Sequence, residues 1–169
     1  MFITNHALAG AVIGRVVRRP VLAFAAGVAS HIAMDMCLHW GDERLGWDGF
    51  VEVARVDGTL GLAACAAVLA ATPRGARTSV AAAIGGACFV DMDKVGLHFL
   101  GRSPFPAAVD RFHRRIQNQR PAGWVIEAGT AAVLAAALSP SARYRAKGRL
   151  PRRSRHADDR RPQHAAGRR

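Results

Sequence analysis

Five apolar segments alternate with polar ones along residues 1–138, and each has the length of a short helix rather than of a strand. They cover residues 6–17, 20–40, 58–72, 79–90 and 122–138. The second segment has 21 residues with one charge, Asp35. Its length is enough to cross a bilayer, which needs about 20 apolar residues. The first is short for that purpose, so it either spans where the bilayer is thinned or lies in the interface.

The polar stretches between these segments predict connections. Residues 41–57 hold five acidic and two basic side chains, which predicts a loop. Residues 94–121 are polar too, but positions 109–120 form a basic amphipathic stretch typical of an interfacial helix. Residues 139–169 are rich in Arg, Pro and His, and we expect them to be disordered. The pattern therefore predicts an all-α, polytopic membrane helical bundle of four to five short helices over 1–138, followed by a disordered basic tail over 139–169.

The composition favours packing in lipid over packing in a soluble core. Half of the residues are hydrophobic, but they are mostly Ala, Val and Leu, there are 17 Gly, and aromatic residues make up 7%. Small side chains let transmembrane helices approach closely, and Gly10 and Gly14 form such a close-packing face on the first segment. The three cysteines lie in apolar segments without a spacing motif, so we expect small core residues rather than disulfides or a zinc knuckle. No cleavable signal peptide is expected.

The net charge of +12 is concentrated near the C-terminus, where residues 141–169 hold eleven of the 24 Lys and Arg residues against two acidic ones. If the helices alternate across a membrane, the excess of basic residues on this side predicts a multi-pass cell-membrane protein with a cytoplasmic tail. Such a tail could bind nucleic acid, but its only aromatic residue is Tyr144. Binding to anionic membrane lipids is therefore the favoured interpretation, and nucleic acid the weaker one.

A polar stripe interrupts the second apolar segment. His31, Asp35 and His39 recur every four residues, and residues four apart lie on nearly the same face of an α-helix. Two imidazoles and a carboxylate suit zinc, manganese or iron. Zinc is the favoured ion, because zinc hydrolases present paired histidines at this helical spacing. The alternative is a stripe whose polar groups pair with neighbouring helices and water.

Three acidic residues outside the stripe are further candidates. Asp91 and Asp93 follow the fourth segment, and from a helix end both carboxylates can reach one ion. The pair could complete a dinuclear site or supply a general base, and a solvated helix end is the alternative. Glu127 lies inside the fifth segment, where a charge is costly unless it has a function or a partner such as Arg120.

With five alternating spans, polar residues of separate helices fall at one membrane face. These residues are His6, His39, Asp91 and Glu127. The pattern thus predicts that they converge on one cavity near the interface.

His113 lies in the amphipathic stretch and is a candidate ligand or acid catalyst. Three arginines accompany it: Arg111, Arg114 and Arg115. Their guanidinium groups would hold a phosphate or another anion. Alternatively, they contact lipid headgroups from an interfacial helix.

Four stretches together resemble a known family. They are Asn-His-Ala-Leu-Ala-Gly-Ala from residue 5, Ser-His-x-x-x-Asp-x-x-x-His-Trp from residue 30, Asp-Met-Asp-Lys from residue 91 and Phe-His-Arg-Arg-Ile-Gln from residue 112. In this combination the chain is similar, over roughly residues 1–130, to the predicted membrane-bound metal-dependent hydrolases, which are small bacterial integral membrane proteins. The resemblance implies a metal-dependent hydrolase of the bacterial inner membrane. Its shared polar positions are His6, His31, Asp35, His39, Asp91, Asp93 and His113.

We therefore expect a metal-dependent hydrolase that acts near the membrane interface on an anionic substrate such as a lipid phosphoester. The expected metal ligands are His6, His31, Asp35, His39 and Asp91. The expected catalytic residues are Asp93, Glu127 and His113, and the expected anion-binding residues are Arg111, Arg114 and Arg115. Two alternatives come from other classes. One is a non-enzymatic membrane protein whose polar residues pair across helices for assembly or ion passage, and the other is a soluble basic helical protein that binds nucleic acid.

Overall fold

Seven α-helices make up most of residues 1–139, the part of the chain that the computed structural model describes. They are α1 (Ile3–Val16), α2 (Pro20–Met36), α3 (Gly46–Ala70), α4 (Arg74–Phe89), α5 (Met92–Leu100), α6 (Ala107–Ile116) and α7 (Trp124–Leu138). Five of them include most of the five apolar segments, and the short helices α5 and α6 occupy the predicted polar region. The all-α class is confirmed for these residues, whereas the tail predicted to be disordered lies, apart from Ser139, outside the described residues.

The second helix ends at Met36, four residues before the end that the apolar pattern predicts. Beyond it, His39 and Trp40 form the strand β1, which pairs in parallel with β2 (Gln119–Arg120). The Asn118 N–H also donates to the carbonyl oxygen of Asp35 at 3.1 Å. This pairing between distant parts of the chain replaces the last helical turn. The prediction of one helical stripe is therefore confirmed for His31 and Asp35 and wrong for His39.

The third helix is longer than predicted, because it includes most of residues 41–57, where the sequence predicts a loop. A 3₁₀ turn, Glu43–Leu45, leads into α3 at Gly46, whose φ of +61° is a conformation that glycine adopts readily. The charged residues Asp48, Glu52 and Arg55 then recur at helical spacing. The predicted loop is therefore wrong, and its charges mark one face of an amphipathic helix.

The helix α4 packs along both α1 and α2, and small residues make this close approach possible. A Cβ atom added at Gly10 would lie 2.6 Å from the carbonyl oxygen of Ala83, and one at Gly14 would meet the backbone of Val80. The close-packing face predicted on the first segment is thus confirmed. Beside it, a small apolar core forms around Leu8, Ala11, Val80 and Leu138.

The three cysteines differ in burial. Cys65 and Cys88 are partly buried, as expected of residues in packed helices. Cys37 follows the end of α2 and is exposed. The prediction of a core position is therefore wrong for Cys37, because the helix stops before it.

By length and composition, two stretches of the described residues could cross a membrane, Glu43–Ala70 and Pro121–Leu138. Only 6% and 17% of their most apolar windows are buried inside the bundle. The helix α2 is also apolar but has 17 residues. Most of the apolar surface of α3 and α7 therefore faces outwards.

Candidate metal centre

Six ionisable side chains from four helices and one interhelical position meet in one cluster, which we call the His/Asp cluster. Its members are His6 on α1, His31 and Asp35 on α2, Asp91 directly after α4, Asp93 in the first turn of α5, and His113 on α6. The two α2 residues and His6 are fully buried, and His113 is 1% exposed. Burial of so many ionisable groups is costly unless they are paired or coordinate a cation.

Asp35 is the hub of this cluster. Its Oδ1 atom lies 3.1 Å from His6 Nε2, and its Oδ2 atom lies 3.1 Å from His31 Nε2 and 3.2 Å from His113 Nε2. The Gln117 amide donates to the same Oδ2 atom at 2.6 Å, and the Met1 amino group donates to Oδ1 at 2.8 Å. One carboxylate thus connects α1, α2 and the α6 end.

The hydrogen bonds of His31 and His113 assign their tautomers. The Nδ1–H group of His31 donates to the carbonyl oxygen of Ala87 at 2.7 Å, and that of His113 donates to Asp93 Oδ2 at 2.7 Å. The Nε2 atoms of both rings therefore point towards Asp35, and they lie 3.3 Å apart. An Nδ1 hydrogen bond to a carbonyl or a carboxylate is the usual arrangement of metal-ligating histidines, because it fixes the ring and its tautomer.

The spacing of these three atoms fits one metal ion. His31 Nε2, His113 Nε2 and Asp35 Oδ2 are separated by 3.1, 3.2 and 3.3 Å. Tetrahedral zinc with bonds of about 2.0–2.1 Å places its ligand atoms about 3.3 Å apart. Two further triads have ligand atoms within 4.8 Å of one another, namely His6, His31 and Asp91, and Asp91, Asp93 and His113. Since the triads share members, the donor set suits one ion or two.

His6 completes the inner side of the cluster. Its ring stacks on that of His31 with centroids 4.0 Å apart and an interplanar angle of 19°. Within residues 1–139, its Nδ1 atom has no hydrogen-bond partner although it is buried, and the same holds for Asn5 Oδ1. Buried polar atoms without partners are rare in native proteins, and a bound ion or water is one explanation for them.

The charges at the outer side of the cluster stabilise one another. Burial by itself would lower the pKa of His113, but hydrogen bonds to Asp35 and Asp93 outweigh burial and raise this pKa to about 9. Burial would raise the pKa of Asp91, yet the neighbouring Lys94 ammonium holds it below its usual value. Lys94 Nζ lies 2.6 Å from Asp91 Oδ1. Burial would lower the pKa of Lys94, but the charge of Asp91 outweighs burial and raises this pKa. Without a metal, His113 is therefore an imidazolium at neutral pH.

His39 lies beside the cluster and not in it. Its Nε2 atom is 3.1 Å from Gln117 Oε1, and its Nδ1 atom is 2.9 Å from the carbonyl oxygen of Cys37. Gln117 in turn donates to Asp35, so it connects His39 to the hub. Sequence reasoning missed Gln117, since an amide after a run of arginines carries no signal by itself. Lys94, the partner of Asp91, was foreseeable from its position three residues later.

Glu127 is buried but binds N–H groups rather than the cluster. Its carboxylate accepts from the backbone N–H groups of Phe2 and Trp40 and from the side chain of Asn5, at 2.6–3.3 Å. Asp57 binds the N–H groups of Ile3 and Thr4 in the same way. The two carboxylates thus hold the first turn of α1, and Glu127 does not pair with Arg120 among the described contacts.

The three predicted anion-binding arginines lie on α6 around His113 but are exposed. They are Arg111, Arg114 and Arg115. Because His113 is directed inwards, successive positions of the same helix turn these arginines away from the His/Asp cluster. The structure therefore brings together His6, His31, Asp35, Asp91, Asp93 and His113, and it separates from them His39, Glu127 and the arginines.

Comparisons of the chain with protein-family models, with curated proteins and with solved structures gave no match. The site geometry and the sequence motifs are therefore the grounds for assigning a function.

Proposed function

We propose that this protein is a membrane-embedded, metal-dependent hydrolase with its metal centre at the His/Asp cluster. The observation that carries the proposal is the convergence of His31 Nε2, His113 Nε2 and Asp35 Oδ2 within 3.3 Å of one another. Once His113 is deprotonated, all three atoms present lone pairs to the same point. A divalent cation bound at that point would accept all three lone pairs.

The metal is proposed to be zinc, with manganese or iron as alternatives. Imidazole nitrogens and carboxylates suit all three ions, and tetrahedral zinc fits the observed separations. His31, Asp35 and His113 are the proposed primary ligands, with His6 and Asp91 available to the same ion or to a second one. The resemblance to the predicted membrane-bound metal-dependent hydrolases supports the same class.

When bound, such an ion lowers the pKa of a coordinated water into the neutral range, which makes hydrolysis accessible at pH 7. Asp93 orients His113 through the 2.7 Å hydrogen bond, and its side chain is 12% exposed. It is therefore better placed than Glu127 to take a proton from water. Lys94, 31% exposed beside Asp91, is the cation placed to attract an anionic substrate such as a lipid phosphoester.

The membrane location is supported by α3 and α7. Both are long and apolar enough to cross a bilayer, and their most apolar windows are 6% and 17% buried. A soluble protein rarely exposes so large an apolar surface. We propose a multi-pass protein of the cell membrane with a cytoplasmic C-terminal tail.

Metal analysis of the detergent-purified protein is the decisive test. We expect about one or two equivalents of zinc in the parent protein, and loss of most of it in Asp35→Asn, which keeps the shape of the side chain. Asp48→Asn, an exposed carboxylate in the first turn of α3, is the matched control and should keep the metal. A metal-free parent protein would rule out the proposal. Hydrolysis of a chromogenic phosphodiester, lost on chelation and restored by zinc, then tests the reaction class.

One observation favours a second candidate, a non-enzymatic membrane protein whose polar residues hold the helices together. Both oxygens of Asp35 already have polar partners, including His6, Gln117 and His113. Such a network can bridge helices without an ion. It predicts a parent protein without metal in which Asp35→Asn weakens assembly, so the same metal analysis separates the two candidates.

A further inference from the structure

The outer surface of α6 carries three cations that face away from the His/Asp cluster. Arg111, Arg114 and Arg115 are exposed, whereas His113 between them is 1% exposed and points inwards. One short helix thus has two roles on opposite faces. The inner face contributes to the site, and the outer face has no role in it.

The described part of the chain offers these arginines no acidic partner. Within residues 1–139, no carboxylate lies within ion-pair distance of any of the three. Other cations of the protein do have such partners, since Arg44 pairs with Asp42 and Lys94 with Asp91, each at 2.6 Å. Three adjacent guanidinium groups without counter-ions among residues 1–139 form a site of positive potential that attracts anions.

Large apolar side chains lie directly beside the arginines. Phe112 is 48% exposed, Val109 40% and Met36, at the end of α2, 61%. Two shallow depressions adjoin one another here and share Phe112 and Arg115. One is lined by Met36, Phe112, Arg115 and Ile116, and the other by Arg111, Phe112, Arg114 and Arg115. The two depressions together thus place apolar side chains directly beside guanidinium groups.

We propose that this surface, the Met36/α6 surface, binds an anionic phospholipid of the surrounding bilayer. The phosphate would lie on the guanidinium groups of Arg111, Arg114 and Arg115, which can donate to it in forked pairs. An acyl chain would cover Met36, Phe112 and Ile116. The proposal rests on the membrane location proposed above, but it requires neither a metal nor hydrolysis.

The apolar half distinguishes a lipid from a soluble anion. Free phosphate would satisfy the arginines and leave the exposed surface of Phe112 and Met36 in water. A basic helix with an aromatic and aliphatic flank is typical of helices that lie in the headgroup layer, where both halves are satisfied at once. The occupant with matching chemistry is an anionic lipid with its tail.

The test is native mass spectrometry of the full chain in neutral detergent with equimolar phosphatidylglycerol and phosphatidylcholine. We expect preferential retention of phosphatidylglycerol, weakened about tenfold or more in a triple variant, Arg111→Gln, Arg114→Gln and Arg115→Gln. The matched control removes three exposed arginines at the other end of the bundle, Arg18→Gln, Arg19→Gln and Arg74→Gln, and should keep the preference. A triple lysine variant of α6 should also keep most of it. Helical circular dichroism checks that each variant is folded.

Three results would overturn the proposal: equal retention of both lipids by the parent protein, equal losses in the α6 triple variant and the control, or full displacement of the lipid by free glycerol phosphate. Chelator-treated protein should behave like the parent. Failure of the hydrolase proposal would therefore leave lipid retention intact, and loss of lipid preference would leave the metal content intact.

Discussion

The Nε2 atoms of His31 and His113 lie 3.3 Å apart, although the two residues are 82 positions apart in the chain. The Nδ1–H group of each ring donates a hydrogen bond, that of His31 to the carbonyl oxygen of Ala87 and that of His113 to the carboxylate of Asp93. Because each Nδ1 atom carries its proton, the two Nε2 lone pairs face each other until His113 gains a proton, which it donates to Asp35 at 3.2 Å, or until a cation binds. The metal-free protein therefore carries one more proton at this site than the metal-bound protein would.

Metal affinity should therefore depend on pH. The pKa of His113 is raised to about 9 without metal, so at neutral pH a proton must leave before the ion binds. Below pH 9 we expect the affinity to rise about tenfold per pH unit, and to level off above it. Competition with a chromophoric chelator between pH 6.5 and 9.5 measures this slope. An affinity independent of pH from 7 to 9 would contradict the assignment of His113 as a ligand, and His98→Gln, an exposed histidine, should leave the slope unchanged.

Removal of the Asp35 carboxylate should destabilise the protein even without metal. Asp35→Asn leaves the cationic His113 and the other donors around it without their charged partner, and loss of one partner of a buried ion pair costs about 3–5 kcal/mol. Thermal unfolding in detergent with a chelator should show a lower midpoint. Asp48→Asn should shift stability by less than about 0.5 kcal/mol, as exposed substitutions do. Equal midpoints for the two variants would show that the network around Asp35 contributes little.

The helical period and the cost of burying charge identify most of the candidate site. His31 and Asp35 follow from their spacing of four inside an apolar segment, and Asp91, Asp93 and His113 follow from their types. His39 continues the same spacing but is excluded, because the chain leaves the helix after Met36 to pair with residues 118–120. This strand pairing joins positions about 80 residues apart in the chain, and no local sequence pattern predicts it.

The error in α3 has a different cause. Residues 41–57 contain seven charges and several glycines, a composition typical of a loop, although the charges recur at helical spacing. The face opposite these charges is apolar and more buried, with Phe50, Val53 and Gly61 among its residues, and it favours a helix that packs on the bundle. Gln117 illustrates a third limit, because its importance depends entirely on the carboxylate it contacts.

Gln117 should act as a positioning residue for the metal centre. Its amide donates to Asp35 at 2.6 Å and accepts from His39 at 3.1 Å, so Gln117→Ala removes one of the groups that fix the orientation of the carboxylate. Removal of such an outer partner typically lowers metal affinity about 10–100-fold. Gln119→Ala, two residues later on the exposed strand, removes only the 3.0 Å hydrogen bond that Gln119 Nε2 donates to Gln117 Oε1, so it is the control and should have a smaller effect. The two affinities are compared by chelator competition, and similar values would remove the positioning role.

Close packing between α1 and α4 should make Gly10 intolerant of even a methyl group. A Cβ atom there would lie 2.6 Å from the Ala83 carbonyl oxygen, and backbone atoms cannot move aside cheaply. Gly10→Ala should therefore destabilise the protein by about 1–3 kcal/mol. Gly129→Ala on α7 meets no atom within 4 Å, and it should be neutral or stabilise by up to about 1 kcal/mol. We expect the thermal unfolding midpoint to fall for Gly10→Ala and to stay unchanged or rise for Gly129→Ala. An unchanged midpoint for Gly10→Ala would contradict the close packing.

Glu127 should prove to be an anchor for the N-terminal turn and not part of the metal centre. Its carboxylate accepts from Phe2, Asn5 and Trp40, and each buried donor left unpaired costs about 1–3 kcal/mol. Glu127→Ala should therefore lower the unfolding midpoint clearly while the folded protein keeps its metal content. Glu127→Gln, which retains one carbonyl acceptor, should have a smaller effect on stability. Unfolding followed by circular dichroism, with metal analysis of the same samples, separates the two roles. Loss of metal at unchanged stability would instead assign Glu127 to the centre, because an anchor cannot be removed without loosening the turn it holds.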